Sequence, residues 1–438
     1  MKIKVSKETV VLQGPAYEDT HWGVIQFPTV YKTDDGKIVV RTHTGDDVWT
    51  EIGKADKEAW CISNDGGKSF KPCPSMKNLI GTTISNGDRI YFPATKAIVY
   101  PENKLKIRRG FTAPIPSDKI EKQSDGSFPY PSFRFWDNAG AEEHLLYDYD
   151  YLPDEYAKRE WTMLRTTPDG ITKEEKVPVI QPTMSMNAVV KPDGNINALP
   201  PYPIGHVKTA PDGSVWACTY SGAHLNPYNK APDIHSATLL YKSTDNAKTF
   251  KLQAYIPFNF DTSKYPTAYL GNGFNENDIE FMDDGSIIIL MRTTDVFCGG
   301  PEWNDMYYAR STDGGKTFSE PKSFGCGVLP SLCKLGCGTT LSAYGRPGIY
   351  VRATNDGINW DNPVEIMTPD DRSYLMNNPP KRPNFHQWAG SCCNVDLKPL
   401  NDNTAMLVYS DFYYPDQSEK TNKKLKTILF RLISIEKD

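Results

Sequence analysis

Short runs that alternate apolar and polar residues recur along the chain, with turn-forming residues between them. The first pair is Phe27-Pro28-Thr29-Val30-Tyr31-Lys32 and Lys37-Ile38-Val39-Val40-Arg41, separated by Asp35-Gly36. A period of two puts one face of each run into a core, and Asp-Gly or Asn-Gly between two such runs signals a hairpin. Comparable turns stand at Asn86-Gly87, Asn138-Ala139-Gly140, Asp212-Gly213, Asp284-Gly285, Gly336-Cys337-Gly338 and Asp402-Asn403. Their mean spacing is roughly 61 residues, which fits radial repetition of β units. Helix signals are almost absent. The pattern predicts an all-β chain, a single β-propeller domain over residues 1–438 with four-stranded antiparallel blades, seven in preference to six. The run from Lys4 to Leu12 is expected to add a strand to the last blade and remove an exposed edge.

A second repeat is superimposed on the first. Ser63-Asn64-Asp65-Gly66-Gly67-Lys68-Ser69-Phe70 returns as Ser311-Thr312-Asp313-Gly314-Gly315-Lys316-Thr317-Phe318. A worn copy is Ser243-Thr244-Asp245-Asn246-Ala247-Lys248-Thr249-Phe250, and shortened copies begin at Thr354 and Thr167. The Ser and Asp side chains are suited to bond nearby backbone N–H groups and close a turn, and Gly accepts a positive φ. These aspartates are therefore read as structural. The repeat resembles the Asp-box of sialidases and related propellers.

Composition narrows the partners. A net charge of −5 with scattered Lys and Arg gives no reason to expect nucleic acid. The one charge run, Glu419 to Lys426, reads as a solvated face. No apolar run approaches the ~18 residues of a membrane helix. The start, Met1-Lys2-Ile3-Lys4-Val5, lacks the apolar stretch of a secretory signal. The nine cysteines are irregularly spaced, and Cys333-x3-Cys337 and Cys392-Cys393 are not zinc spacings. The expectation is a cytoplasmic protein with reduced thiols, no cofactor, no metal, no nucleic acid and no membrane partner; the alternative is a secreted protein whose signal has been removed. Oligomeric state is left open.

A propeller rim collects the starts of inner strands and the ends of their hairpin partners. By turn position these are Gln26, Arg41, His43, Asp46 and Asp47 from the first unit, and His206, Tyr220 and His224 from the fourth. Glu276 and Arg292 follow, then Arg346, then His386, Trp388, Asn394 and Tyr409. Paired carboxylates serve acid–base work on glycosidic bonds, aromatic faces fit sugar rings, and Arg forks bind carboxylates. The partner this set predicts is a carbohydrate.

The resemblance extends to these residues. Asn275-Glu276-Asn277-Asp278-Ile279-Glu280-Phe281-Met282-Asp283-Asp284-Gly285 through Arg292 is similar to a sialidase stretch in which the first Glu assists the nucleophile and the final Arg binds a carboxylate. Arg346 stands where the resemblance implies another carboxylate-binding Arg. Two positions depart from the family. Its Arg-Ile-Pro reads Gln26-Phe27-Pro28 here, and its Tyr-Ser-Asp-Leu reads Asn394-Val395-Asp396-Leu397, so Tyr409 is the nearest candidate nucleophile. The resemblance implies an exo-acting glycoside hydrolase on a terminal, perhaps acidic, sugar. In it Asp46 or Asp47 is the acid, Glu276 the base, and Gln26, His43, His206, Tyr220, His224, Arg292, Arg346, His386, Trp388 and Asn394 bind substrate. Two alternatives stay open. One is a polysaccharide lyase acting on uronic acid units through His206, Tyr220 and His224, and the other a non-catalytic glycan-binding propeller.

Overall fold

The computed structural model describes residues 2–16, 19–20, 23–46, 54–93, 98–100, 133–136, 143–152, 157–190, 196–199, 203, 206–259, 273–293, 305–345, 348–367, 394–418 and 423–436. Regular structure among them is β-strand, with only three-residue 3-10 turns besides. The chain falls into two compact units. One comprises Met1–Ile80, Asp278–Arg292 and Pro301–Asp438, the other Gly81–Asn277 and Thr293–Gly300.

In the first unit, the strands Gln26–Lys32, Ile38–His43, Glu58–Ser63 and Lys71–Pro72 form one antiparallel sheet in chain order. Val328–Lys334, Thr340–Gly345, Ile349–Thr354 and Val364–Met367 form another. A third runs Val395–Asn401, Thr404–Pro415, Lys424–Glu436, Lys2–Val5, with Thr9–Ala16 also pairing the C-terminal strand. Lys2 lies opposite Glu436, and Thr9 opposite Phe430. Apolar faces of the first and third of these sheets interlock through Val30, Val40, Cys61, Met406, Val408, Ile428 and Phe430, all buried. A further sheet orders Phe274–Phe281, Ile287–Thr293, Asp305–Ser311 and Lys322–Cys326, of which Phe274 to Asn277 and Thr293 are counted with the second unit.

The first strands of successive sheets are keyed to one another by side chains. Asp278 Oδ2 accepts the Leu332 N–H at 2.7 Å, Ser331 Oγ the Leu397 N–H at 3.1 Å, and Asp396 Oδ2 the Val30 N–H at 2.9 Å. Each acceptor directly precedes the apolar residue whose own N–H is taken by the strand before, or stands in the equivalent place. Asp278, Ser331 and Asp396 are buried, so each bond satisfies a group that water cannot reach.

The second unit departs from sequential hairpins. The strand Arg89–Tyr91 pairs Glu160–Thr166, and Glu143–Asp148 pairs Ser185–Val190. Residues 82–199 thus interleave two sheets, where the turn spacing alone predicts one hairpin unit after another. The strand Thr172–Ile180 then pairs in parallel with Phe250–Ile256, joining two four-stranded sets into one eight-stranded sheet.

The repeated turns share one bonding pattern. Asp65 Oδ1 accepts the N–H groups of Lys68 and Ser69 at 3.0 Å, while Ser63 Oγ accepts Gly67 N–H at 2.8 Å. Asp313 and Ser311 repeat this with Lys316, Thr317 and Gly315. Gly66 and Gly67 have φ of 72° and 89°, and the worn copy puts Asn246 and Ala247 into the same region at 59° each. Left-handed backbone costs an Ala roughly 1 kcal/mol. Here Arg165 donates to the carbonyls of Asn246 and Ala247 at 3.0 and 3.3 Å and is itself bonded to Asp88 and Glu175. The buried guanidinium clamps the turn that lacks its glycines.

Candidate functional site

The start of the strand Gln26–Lys32 is bent where a straight strand would suffice. Ile25 and Phe27 both take left-handed φ values, 65° and 51°, which are uncommon for a β-branched or bulky residue and cluster at functional positions. The bend turns the Gln26 side chain fully inward. The Gln26 backbone carbonyl accepts the Thr42 hydroxyl at 2.9 Å, and Phe27 N–H donates to Asn394 Oδ1 at 3.3 Å. His43 lies opposite Gln26 across the hairpin. His43 Nε2 is 2.9 Å from the Asp46 carbonyl oxygen; a carbonyl only accepts, so Nε2 carries the proton. Gln26, His43, Asp46 and Asn394 thus gather at one corner of the first unit.

The C-terminal strand Lys424–Glu436 holds a residue whose environment differs from the solvated face its sequence suggests. Lys426 is fully buried, not on a solvated face. Its Nζ lies 4.9 Å from the centroid of the buried Phe412 ring. Burial pushes the ammonium down to about 8, with the negative charge of Asp46 working the other way. The missed signal is phase: Lys426 shares its strand face with Ile428 and Phe430, whose side chains are in the core.

Tyr409 is in a different environment. It is buried among Leu341, Leu407, Leu429 and Ile433. Its hydroxyl accepts from Arg431 Nε at 2.9 Å. Burial pushes the phenol up to about 12, against the opposing effect of Arg431. The expected nucleophile is therefore a core residue. Alternation places it inward, and counting from a turn could not tell the end of the strand from its inner face.

On the strand Phe274–Phe281, Glu276 is half-buried and flanked by two amides. The Asn277 Nδ2 donates to the Thr219 carbonyl at 3.1 Å and to Thr238 Oγ1 at 3.3 Å, which fixes the amide. Its Oδ1, and that of Asn275, are buried with no hydrogen-bond partner among the described residues. Arg292 is half-buried near the end of Ile287–Thr293. Arg352, by contrast, is spent on structure, donating to the carbonyls of Asp361 and Phe324 at 2.8 and 3.0 Å.

In the second unit, His206 and Tyr220 are half-buried, whereas His224 is buried within a small hairpin of His224–Leu225 against Pro232–Asp233. Its Nδ1 is 3.0 Å from both Ser221 Oγ and the Gly222 carbonyl, and its Nε2 is 2.9 Å from the Tyr255 hydroxyl. Burial lowers its pKa, with Asp233 opposing. This histidine is committed to local bonds on both nitrogens. Asp148 and Asp150 are bridged by Lys230 Nζ at 2.8 Å from each. Asp47, Arg346, His386 and Trp388 lie outside the described residues. Cys61, Cys73, Cys218, Cys333 and Cys337 are free thiols.

No known family model and no curated protein sequence matches the chain. A solved structure of a protein of unknown function from Dyadobacter fermentans is similar over 99% of both chains, at 16% identity and a TM-score of 0.56. That likeness is one of fold. A Hadza microbial sialidase aligns over 95% of this chain and 67% of its own, at 12% identity and a TM-score of 0.41. The α-L-arabinofuranosidase Arb93A from Fusarium graminearum aligns over 98% of both chains, at 11% identity and a TM-score of 0.44. No helix among the described residues is long and apolar enough to cross a membrane.

Proposed function

We propose that this chain is a seven-bladed, sialidase-like propeller that hydrolyses the glycosidic bond of a terminal, acidic sugar. The observation that carries the reading is the start of Phe274–Phe281. There Glu276 is half-buried, sixteen residues before Arg292, which is half-buried near the end of the neighbouring strand Ile287–Thr293. A carboxylate on one strand and a guanidinium on its neighbour suit acid–base work on a sugar that carries an anionic group. The repeated Ser-x-Asp turns and the Glu276-to-Arg292 stretch support the same family.

In this reading Asp46 or Asp47 donates a proton to the leaving oxygen. Glu276 takes a proton from water, which attacks the anomeric carbon. Arg292 and Arg346 hold the substrate's anionic group. Gln26, His43, His206, Tyr220, His224, His386, Trp388 and Asn394 bind the ring and its hydroxyls. With Tyr409 in the core, water rather than a tyrosine is the nucleophile, and a single displacement inverts the anomeric centre.

The test is a turnover screen on methylumbelliferyl glycosides of sialic acid, glucuronic acid, arabinose, rhamnose and galactose. Fluorophore release should fall by roughly a hundredfold or more in Glu276→Gln. Proton NMR of the first-formed sugar should show the inverted anomer. Ultraviolet-absorbing unsaturated uronates from acidic polysaccharides would instead indicate a lyase acting through His206, Tyr220 and His224. Glycan binding that persists in Glu276→Gln, with no turnover, would indicate a binding module.

A further inference from the structure

The loop that joins Val215–Tyr220 to Thr238–Ser243 is rooted beside Glu276. At one root Asn277 Nδ2 donates to the Thr219 carbonyl at 3.1 Å, and at the other Phe274 N–H donates to the Ser236 carbonyl at 2.7 Å. Glu276 and the whole loop belong to the second unit. Between its roots the loop forms the hairpin of His224–Leu225 against Pro232–Asp233, and the turn of that hairpin carries Tyr228. Tyr228 is 62% exposed, the one aromatic ring among the large apolar side chains that stand exposed in the described residues.

The turn that displays this ring is clamped. Asn226 Oδ1 accepts the Tyr228 N–H and Asn229 Oδ1 the Ala231 N–H, each at 2.9 Å. Lys230 takes a left-handed φ of 59°, uncommon outside glycine. Its ammonium bridges Asp148 and the adjacent Asp150, and Arg159 holds Asp150 at 2.7 Å. Leu225 N–H donates to Ser185 Oγ at 3.0 Å. The Tyr228 ring meets Tyr255 nearly edge to face, with centroids 6.4 Å apart. His224 gives its Nδ1 proton to the Gly222 carbonyl, so in the neutral ring Nε2 accepts the Tyr255 hydroxyl. A ring fixed in this way loses little further freedom when a ligand covers it.

We propose that the exposed face of Tyr228 is a second sugar subsite, which seats a neutral sugar unit of the same glycan whose acidic terminal unit lies at Glu276. The position of the terminal unit rests on the glycosidase reading. The C–H face of a sugar ring covers one aromatic ring, and its hydroxyls suit the polar neighbours Asn226, Asn229 and Lys230. A protein partner needs roughly 800 Å² on each side, and a tyrosine offers at most about 200 Å². The charge around the turn is balanced, two cations against two carboxylates, so it selects neither anion nor cation.

The test is saturation-transfer NMR on the full chain carrying Glu276→Gln, which keeps the probes intact. The probes are 3′-sialyllactose, a hyaluronan tetrasaccharide ending in glucuronic acid, and lactose. Transfer should reach the C–H protons of a neutral unit. Tyr228→Ala should weaken binding roughly tenfold, with Tm unchanged because the lost ring is exposed. Tyr228→Phe and Tyr228→Trp should keep it, since a face is required and a hydroxyl is not. Equal binding in Tyr228→Ala overturns the proposal. So does the absence of transfer to all three probes at about 1 mM.

Turnover separates this proposal from the reading beneath it. In the native chain, Tyr228→Ala should raise KM for sialyllactose or the tetrasaccharide, whichever is cleaved, roughly tenfold. The methyl glycoside of the same terminal sugar has no second ring to seat, and its kinetics should stay within about twofold. Binding that depends on Tyr228 without any turnover sinks the glycosidase reading and leaves a glycan-binding face. Turnover that Tyr228→Ala alters equally for both substrates, or for neither, sinks the subsite alone.

Discussion

Three polar residues sit deep in the first unit for three different reasons. Asp396 is an acceptor for the backbone of a neighbouring strand. Tyr409 caps the Arg431 guanidinium, which also bonds the Ser6 carbonyl at 2.8 Å and pairs with Glu8. Lys426 lies over the buried Phe412 ring. Residue type therefore says little about role until its bonds are known. Tyr409→Phe should remove one hydrogen bond, lowering stability by about 1 kcal/mol in urea denaturation. It should leave kcat within about twofold on any substrate the screen identifies; a loss like that of Glu276→Gln would return the tyrosine to the chemistry.

At the scale of elements, the repeated turns are closed by carboxylates. The Ser69 and Ser63 hydroxyls and the Ser69 N–H hold Asp65 well below its ordinary range, and Thr317 and Ser311 do the same for Asp313. Burial raises Asp356, but the Asn359 and Ile358 N–H groups outweigh it and bring it to about 2. Because these folded values are depressed, their stabilisation is complete above the unfolded range near 3.8. It should be lost as pH falls from about 4 towards 2. Tm measured across that interval should fall, and Asp313→Asn should flatten part of the slope. These turns were legible in the sequence because their chemistry is local: donor, acceptor and glycine lie within five residues. The interleaving of residues 82–199 was not, because alternation says which face is buried and not which strand is the neighbour. Lys426 was hidden for a related reason, since its charge outweighed the phase it shares with Ile428 and Phe430. The positions of Gln26 and Asn394 could be read from the turns, but the bend that buries Gln26 could not.

At the scale of the whole molecule, the two ends of the chain meet in one sheet. Lys2–Val5 and Thr9–Ala16 both pair Lys424–Glu436, and the segment between them supplies the Ser6 and Glu8 partners of Arg431. Removing residues 1–8 should strip those partners and open an edge of the C-terminal strand. Stability should fall by about 2 kcal/mol, and light scattering should show self-association through the uncovered edge. An unchanged Tm with a monodisperse profile would mean that the first eight residues are dispensable trim.

The bonds that link first strands have a bearing on ancestry. Asp278, Ser331 and Asp396 each reach forward to the next strand, and Leu332 and Leu397 each offer an N–H back to the one before. A copied stretch of gene would bring both the hook and the eye of this fastening. Such an array can lengthen by whole copies without stranding a carboxylate, whereas a partial copy leaves one behind with nothing to accept. The joint between strands is thus also a rule about which duplications survive.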